Sequence, residues 1–146
     1  MQKNKPSPAP ELTHCTCLAL RQAARQVSQL YDRHLAEVGL RTSQYSILAK
    51  LDRLGPRSIN ELATMMVMDR TTTGRAVRPL ERDKLVTIAA GDDGRRRVVR
   101  LTKAGEARVK AAVVQWRGAQ KEFEASYGAA EAAKLRSILA GVVSAA

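Results

Sequence analysis

Four arginines stand within six consecutive positions just after the turn sequence GDDG: Arg95, Arg96, Arg97 and Arg100. Like charges at this spacing repel one another, so the cluster opposes folding unless a polyanion or nearby carboxylates offset it. Guanidinium groups bind phosphate oxygens and guanine edges through paired hydrogen bonds. The cluster therefore indicates an anion-binding surface, on which Asp93 is expected to hold the guanidinium of Arg95 in a fixed fork geometry.

The net charge of +11 is concentrated in one part of the 146-residue chain. Residues 70–110 carry twelve lysines and arginines against five acidic residues, and this is the expected footprint of nucleic-acid binding. The alternatives are a solvated face that confers solubility and an anionic membrane surface. The membrane is disfavoured because much of the charge lies on a hairpin rather than on an amphipathic helix. Aromatic residues are scarce, which disfavours stacking on single-stranded nucleic acid.

Apolar periodicity and capping residues predict the order of helices and strands. The first predicted helix covers 12–38 and ends at Gly39, and the second begins after Thr42 or Ser43 as N-cap and ends at Gly55. A short third helix is capped by Ser58 or Asn60. The fourth begins after the cap Asp69 and runs to about Lys84. β-Branched residues predict strands at 85–90 and 97–102, joined by an Asp93-Gly94 turn. Thr102 is the expected N-cap of a long helix that Gly128 interrupts before a final helix.

Two short helices followed by a two-stranded hairpin are typical of a winged helix-turn-helix. The predicted fold is mainly α-helical with a small β-hairpin wing, in a single domain over 12–146 that follows a flexible arm at 1–11. The winged-helix lobe takes 41–101, flanked by helices at 12–40 and 102–146. Their apolar stripes have no obvious partner within so small a lobe, which favours a symmetric dimer. The alternative is that all stripes close within one chain.

The helix after Asp69 begins with hydroxyl residues that suit phosphate oxygens and base edges. The expected contacts with DNA on this helix are Arg70, Thr71, Thr72, Thr73, Arg75 and Arg78. On the hairpin, Arg95 is expected to enter a narrow minor groove, while Arg96, Arg97 and Arg100 act on phosphates. An edge strand that uses charge only to prevent aggregation needs one or two arginines, so four favour DNA.

Two residues of the same helix are unusual for a helix interior. Gly74 either lets the backbone come close to the DNA groove or is simply tolerated. Pro79 is expected to kink the helix beyond the turn that reads the bases.

The run from Leu40 to Ala107 resembles the core of the MarR family of bacterial transcriptional regulators. Its most specific part is the wing pattern D-x-R-x-x-x-V-x-L-T, which begins at Asp93, and Gly55-Pro56 and Asp69-Arg70-Thr71 match as well. The resemblance implies a homodimer, joined by its terminal helices, that binds pseudo-palindromic double-stranded DNA, usually as a repressor.

The resemblance also implies which residues touch the DNA. The candidates for reading bases are Thr71, Thr72, Thr73 and Arg75, and the wing pair is Asp93 and Arg95. The alternative function is a winged-helix module that binds RNA or another protein without binding an operator.

The first helix partly resembles that of the organic-hydroperoxide-sensing members of the family. Cys17 falls where their reactive cysteine lies, and Tyr31 matches one of its two tyrosine partners, while Thr42 stands in place of the other. The resemblance implies release of DNA by cysteine oxidation. Cys15 is a candidate resolving thiol for an oxidised Cys17, either within one chain after local distortion or across a dimer. One alternative is that the two cysteines are small buried residues that pack a helix. The other is a metal site formed by both cysteines and His14. Such a site lacks a fourth ligand, so no metal is expected.

A second route to release is a small aromatic or phenolic effector, which many family members bind in the cleft between the dimer helices and the DNA-binding lobe. His34, Arg21 and Arg25 on the first helix are candidate contacts. No spacing singles them out, so solvated side chains are the default interpretation.

Other function classes find little support in the sequence. The sequence argues against an enzyme, because it has only two histidines and contains no nucleophile elbow, P-loop or His-Glu-x-x-His pattern. No apolar run approaches the roughly 18 residues of a membrane helix, and the first residues do not resemble an export signal. The sequence therefore predicts a cytoplasmic protein with no cofactor, no membrane partner and reduced cysteines.

Overall fold

The computed structural model describes residues 8–9 and 11–145, so most of the arm predicted at 1–11 lies outside the described residues. The helices of the described part are α1 (Thr16–Leu35), α2 (Thr42–Leu54), α3 (Ile59–Met66), α4 (Arg70–Arg82), α5 (Lys103–Tyr127) and α6 (Ala129–Ala145). The strands are β1 (Arg57–Ser58), β2 (Val86–Ala90) and β3 (Arg97–Leu101). The mainly helical fold with a β-hairpin wing is confirmed.

Helix ends follow local side-chain chemistry in most places. Ser58 is the N-cap of α3: its hydroxyl accepts the N–H of Glu61 at 3.1 Å, and the Glu61 carboxylate accepts the N–H of Ser58 at 2.8 Å. Asp69 caps α4 and Thr102 caps α5, as predicted. Gly128 separates α5 from α6 with a φ of +104°, a value that favours glycine.

The start of α2 differs from the prediction. Arg41 occupies the N-cap position, which was predicted for Thr42 or Ser43. The side chain of Gln44 accepts the N–H of Arg41 at 2.9 Å. The N–H of Thr42 is satisfied by the carboxylate of Asp32 at 2.7 Å, from the neighbouring helix α1. A tertiary partner ten residues away thus replaces the local cap that the sequence predicts.

The helix predicted over 12–38 is divided into three pieces. Short 3₁₀ segments at Leu12–His14 and Ala36–Val38 flank α1. Gly39 then ends this region in the left-handed conformation, with a φ of +70°, as its predicted role in ending the first helix requires.

The wing belongs to a three-stranded antiparallel sheet with the order β1-β3-β2. The central strand β3 pairs with β2, where Val99 lies opposite Ile88, and with β1, where Val99 lies opposite Arg57. Two residues are too few for a sequence pattern, so β1 was not predicted.

The core of the winged-helix lobe lies between the sheet and helices α2, α3 and α4. Its largest fully buried side chains include Leu48, Leu62, Leu80 and Val99. α4 continues through Pro79 to Arg82, with Val77 and Leu80 on its buried face. Helix α5 packs against α1 and α2, and its buried residues include the small Ala112 and Ala119. This arrangement leaves the start of α4 and the wing on one surface.

Two glycines form a matched pair for measuring stability. A Cβ on Gly105 would lie 2.1 Å from the carbonyl oxygen of Leu85, whereas a Cβ on Gly74 would meet no atom within 4 Å. We expect Gly105→Ala to lower the free energy of unfolding by about 1–3 kcal/mol through overpacking. Gly74→Ala should raise it by up to about 1 kcal/mol through helix propensity. Urea denaturation of both variants measures this, and a Gly105→Ala variant as stable as the wild type contradicts this packing.

Candidate nucleic-acid interface

A basic groove of about 730 Å³ lies between the wing and the first turns of α3 and α4. Its charged lining consists of Arg57, Arg70, Arg95, Arg96, Arg97 and Glu61. Polar and apolar residues of α3, among them Asn60, Thr64 and Met65, complete the wall. Five guanidinium groups against one carboxylate, which is itself engaged in the α3 cap, give the groove a positive potential.

The wing turn is held by Asp93. Its Oδ1 accepts the backbone N–H groups of Arg95 at 3.0 Å and Arg96 at 3.1 Å, while Gly94 adopts a left-handed φ of +70°. The hydrogen bond from the Arg95 backbone is the main cause that lowers the pKa of Asp93, and the bond from Arg96 adds to it. Asp93 is therefore ionised and fixes the backbone of the turn.

The prediction that Asp93 holds the guanidinium of Arg95 is wrong. The one ion contact of Asp93 in the described part of the chain is with Arg96, whose Nε lies 3.9 Å from Oδ2. At a spacing of two residues in this turn, the carboxylate meets the N–H of Arg95 and not its side chain. The Arg95 side chain is exposed, and no ion pair restricts it among the described residues.

The first turn of α4 contains a second carboxylate that binds the backbone. Asp69 Oδ1 accepts the N–H of Thr72 at 2.7 Å, and its Oδ2 accepts the hydroxyl of Thr72 at 2.8 Å. The backbone hydrogen bond from Thr72 is the main cause that lowers the pKa of Asp69. Thr71 and Thr72 are exposed on this turn, as binding requires.

Thr73 corrects the predicted set of contacts. It is fully buried, and its hydroxyl donates to the carbonyl oxygen of Asp69 at 2.8 Å. Thr73 shares the buried face of α4 with Val77 and Leu80, at positions one and two turns further along. Its side chain therefore packs the lobe and is not available to DNA.

The remaining predicted arginines are exposed but occupy different parts of the surface. Arg70 lines the groove, whereas Arg75 and Arg78 follow on α4 outside it. Arg96 and Arg97 line the groove, while Arg100 lies on β3 away from it.

Arg57 is a groove residue that sequence reasoning missed. It lies in β1 and donates from Nη1 to the carbonyl oxygen of Pro56 at 2.8 Å. Only the pairing of β1 with β3 brings it beside the wing arginines. Its position just before the Ser58 capping box was the one signal in the sequence, and that signal does not reveal the pairing.

The cysteines are more exposed than the packing alternative requires. Cys15 is half-buried and is the N-cap of α1, where its Sγ accepts the N–H of Leu18 at 3.4 Å, and Cys17 is exposed. Within one chain neither thiol is fully buried, so the packing alternative finds no support within a single protomer. Among the residues that the structure describes, no group of three histidine, cysteine or acidic side chains is placed to hold a metal ion.

Tyr31 does not reach Cys17 of its own chain. The two residues are fourteen positions apart on α1, which is roughly 21 Å along a helix. The Tyr31 hydroxyl instead donates to the side chain of Gln120 on α5. Burial is the main cause that raises the pKa of Tyr31.

The candidate effector contacts are not brought together in one cleft. His34 Nε2 lies 2.5 Å from the carboxylate of Glu122 on α5, and Arg33 binds the same carboxylate at 3.0 Å. The hydrogen bond with His34 is the main cause that lowers the pKa of Glu122. Arg21 and Arg25 are exposed. An apolar cavity of about 430 Å³ lies among α1, α5 and α6. Its lining includes Leu20, Val27, Tyr31, Gln120, Phe123, Leu135, Arg136 and Leu139, but not His34, Arg21 or Arg25.

In the described part of the chain, every helix is too short or too polar to cross a membrane.

The fold is that of a winged helix-turn-helix protein. Its defining features are the sheet order, the capped pair of helices α3 and α4, and the arginine-rich wing.

Comparison with known proteins places this fold in a family. A model described as the MarR family matches residues 40–98. The uncharacterised HTH-type transcriptional regulator YwoH of Bacillus subtilis is 31% identical over 87 residues, which span 60% of this chain and 64% of that relative. A crystal structure of the M. tuberculosis transcriptional regulator MosR in complex with DNA is 39% identical, with a TM-score of 0.81, and the match covers 90% of this chain and 96% of that one.

A probable transcriptional regulator from Pseudomonas aeruginosa is 29% identical, with a TM-score of 0.81 over 90% of this chain and 99% of that one. The chain therefore belongs to the MarR family of transcriptional regulators, as the resemblance of its sequence predicts.

The wing turn can be tested through the ionisation of Asp93. The pKa of Asp93 is lower in the folded state than in the unfolded state, so the ionised carboxylate stabilises the turn. This stabilisation is complete when the pH is above the ordinary carboxyl pKa, and it is lost as the pH falls through the lowered pKa. We expect the amide proton shifts of Arg95 and Arg96 to titrate together in NMR spectra, with a midpoint below the ordinary value. Asp93→Ala should abolish this titration, and Asp92→Ala, at the exposed neighbouring residue, should keep it. A midpoint at or above the ordinary value contradicts the turn geometry.

Proposed function

We propose that this protein is a dimeric repressor of transcription that binds a pseudo-palindromic duplex operator. The observation that carries the proposal is the groove with five arginines beside the exposed first turn of α4. A major groove of B-form DNA admits an α-helix, and the adjoining minor groove attracts arginine. The related MosR has been crystallised in complex with DNA, which supports DNA as the partner of this fold.

The residues of this surface fall into three groups with different proposed roles. Thr71, Thr72 and Arg75 contact base edges in the major groove, since they lie on the first turns of α4. Arg95 enters the minor groove, because its exposed side chain directly follows the turn at the tip of the wing. Phosphates are bound by Arg57, Arg70, Arg78, Arg96, Arg97 and Arg100.

Exposed apolar side chains support pairing of two chains through the terminal helices. The largest of them on these helices are Leu12, Leu20, Val114, Tyr127, Ile138, Val142 and Val143. Apolar surface of this extent on terminal helices is covered in a symmetric dimer, which then presents two α4 helices to two half-sites. A mass of one chain by light scattering would contradict the dimer, and with it the palindromic operator.

Two mechanisms of release are compatible with this proposal. The cavity among α1, α5 and α6 has a volume within the usual range for small ligands, and Tyr31, Gln120 and Arg136 supply polar groups on its apolar wall. It suits a small aromatic or phenolic effector. The exposed Cys17 beside the capping Cys15 favours oxidation instead, and a Cys17→Ser variant separates the two mechanisms.

The wing assignment can be tested with one arginine. Arg95→Ala should weaken binding to the operator and flatten its salt dependence, since a cation in the minor groove displaces counterions from the phosphates that flank it. The slope of log K against log salt changes by about 0.9 for each phosphate that is no longer neutralised. Fluorescence anisotropy at several salt concentrations measures both effects. Arg21→Ala is the matched control, because it removes the same charge from an exposed site outside the groove. If Arg95→Ala binds the operator as tightly as the wild type, Arg95 does not contact the DNA as proposed. If the wild type prefers folded RNA to duplex DNA, the alternative function of an RNA-binding module is favoured.

The sensing role of the cysteines can be tested with mild peroxide. A peroxide ROOH oxidises the Cys17 thiolate to a sulfenic acid and leaves as ROH, and the Cys15 thiol then forms a disulfide with loss of water. Within one chain this disulfide requires the first turn of α1 to distort and the Cys15 cap to be lost, because the Cys15 Sγ that would form it accepts the N–H of Leu18. We expect peroxide to weaken operator binding by the wild type and not by Cys17→Ser. Equal responses of the two proteins would make Cys17 structural and leave the small effector as the release mechanism.

A further inference from the structure

The cap of α4 fixes the direction of one hydroxyl hydrogen. Thr72 Oγ1 lies 2.8 Å from Asp69 Oδ2, while Asp69 Oδ1 accepts the N–H of Thr72. An ionised carboxylate accepts hydrogen bonds and cannot donate them, so the hydroxyl must donate its single hydrogen to Asp69. The exposed side of the Thr72 oxygen therefore offers a lone pair and no hydrogen.

We propose that Thr72 recognises an exocyclic amino group in the major groove, adenine N6 or cytosine N4, and rejects guanine and thymine at that position. The inference rests on the proposed function, in which α4 enters the major groove. The amino groups of adenine and cytosine are donors, whereas guanine O6 and N7, thymine O4 and phosphate oxygens are acceptors. A hydroxyl committed to Asp69 has no hydrogen left for any of these acceptors.

The neighbouring threonines differ from Thr72 in this respect. Thr71 is exposed, and its hydroxyl has no hydrogen-bond partner among the described residues, so it is free to donate or to accept. Thr73 is buried and donates to the Asp69 carbonyl oxygen. Of the three hydroxyls, Thr72 alone is both exposed and fixed in polarity, which makes it a selective reader of bases.

Asp69 is a positioning residue in this scheme, because it acts on the base only through Thr72. Hydrogen bonds from the backbone N–H and the hydroxyl of Thr72 lower its pKa, so it stays ionised and keeps its acceptor role at neutral pH. A guanine at the contacted position would place O6 against the Thr72 lone pair, and this unfavourable contact adds to the loss of a hydrogen bond.

The test uses the full chain and a library of duplexes with a randomised centre. Duplexes bound by the wild type, Thr72→Val and Thr72→Ser are sequenced, with Thr87→Val as the matched control, because Thr87 is exposed on β2 outside the groove. Valine has the shape of threonine without the hydroxyl, and serine keeps the hydroxyl without the methyl group. We expect the wild type, Thr72→Ser and Thr87→Val to enrich adenine or cytosine at one position of each half-site. Thr72→Val should show no preference at that position.

Base analogues then test the amino group itself in the selected duplex. Purine in place of adenine removes the N6 amino group, and 2-pyrimidinone in place of cytosine removes the N4 amino group, so the two arms distinguish the two sources. The analogue should weaken binding by the wild type by roughly five- to tenfold, as expected for one hydrogen bond, and leave binding by Thr72→Val unchanged.

Three results would overturn the inference. The first is the same base preference for Thr72→Val and the wild type, and the second is guanine or thymine at the position that depends on Thr72. The third is an equal decrease in the affinity of both proteins with the analogue. If no variant enriches any duplex, the proposed function fails as well, whereas enriched duplexes with no position that depends on Thr72 reject this inference alone.

Discussion

Antiparallel pairing on both sides of β3 is the interaction on which the candidate interface depends. β3 lies between β1 and β2, and its central residue Val99 is fully buried in the lobe. The ladder of hydrogen bonds fixes the register, so Arg57 on β1 and the wing arginines are held on one groove. Without β1, Arg57 would lie on a loop and the groove would lose one wall. A strand of two residues thus supplies one wall of the groove and one of its five arginines.

The same strand leads directly into the helices that are proposed to pair. The N–H of Thr102, next after β3, donates to Leu85 O at 3.1 Å, and its hydroxyl donates to Lys84 O at 2.7 Å and accepts the N–H of Gly105 at 3.0 Å. One residue therefore ends the wing, caps α5 and ties both to the end of α4. Because no flexible linker intervenes, a movement of α5 against α1 is expected to carry the wing with it. This continuity gives the proposed effector cavity and the proposed cysteine switch the same route to the DNA-binding surface.

Features that depend on local chemistry could be predicted from the sequence, and features that depend on tertiary contacts could not. The caps Ser58, Asp69 and Thr102 act within three residues, so their types alone indicate helix starts. The cap of α2 and the strand β1 depend on Asp32 and on β3, which are distant in sequence. No local pattern reveals such partners.

The burial of Thr73 is different, because the sequence did contain the signal. Thr73, Val77 and Leu80 follow the spacing of one helix face, and two of the three are apolar. Reading the three threonines as one hydroxyl cluster gave weight to residue type over position. Helical periodicity is the better guide at such sites, since a buried threonine can satisfy its hydroxyl on the preceding turn.

The charge of the groove remains largely uncompensated because the carboxylates around it bind backbone donors. A backbone hydrogen bond is the main cause that lowers the pKa of each of Glu61, Asp69 and Asp93. Arg96 alone has a carboxylate within 4.0 Å among the groove arginines of the described residues, and that contact is long and exposed. Exposed ion pairs would add little to stability, whereas each one would have to be broken before a phosphate could bind. The carboxylates thus hold the backbone of the cap and the turn in place, while the guanidinium groups form no close ion pairs among the described residues. The repulsion within the arginine cluster is therefore left for an external polyanion to relieve, and the release of its counterions would then favour binding.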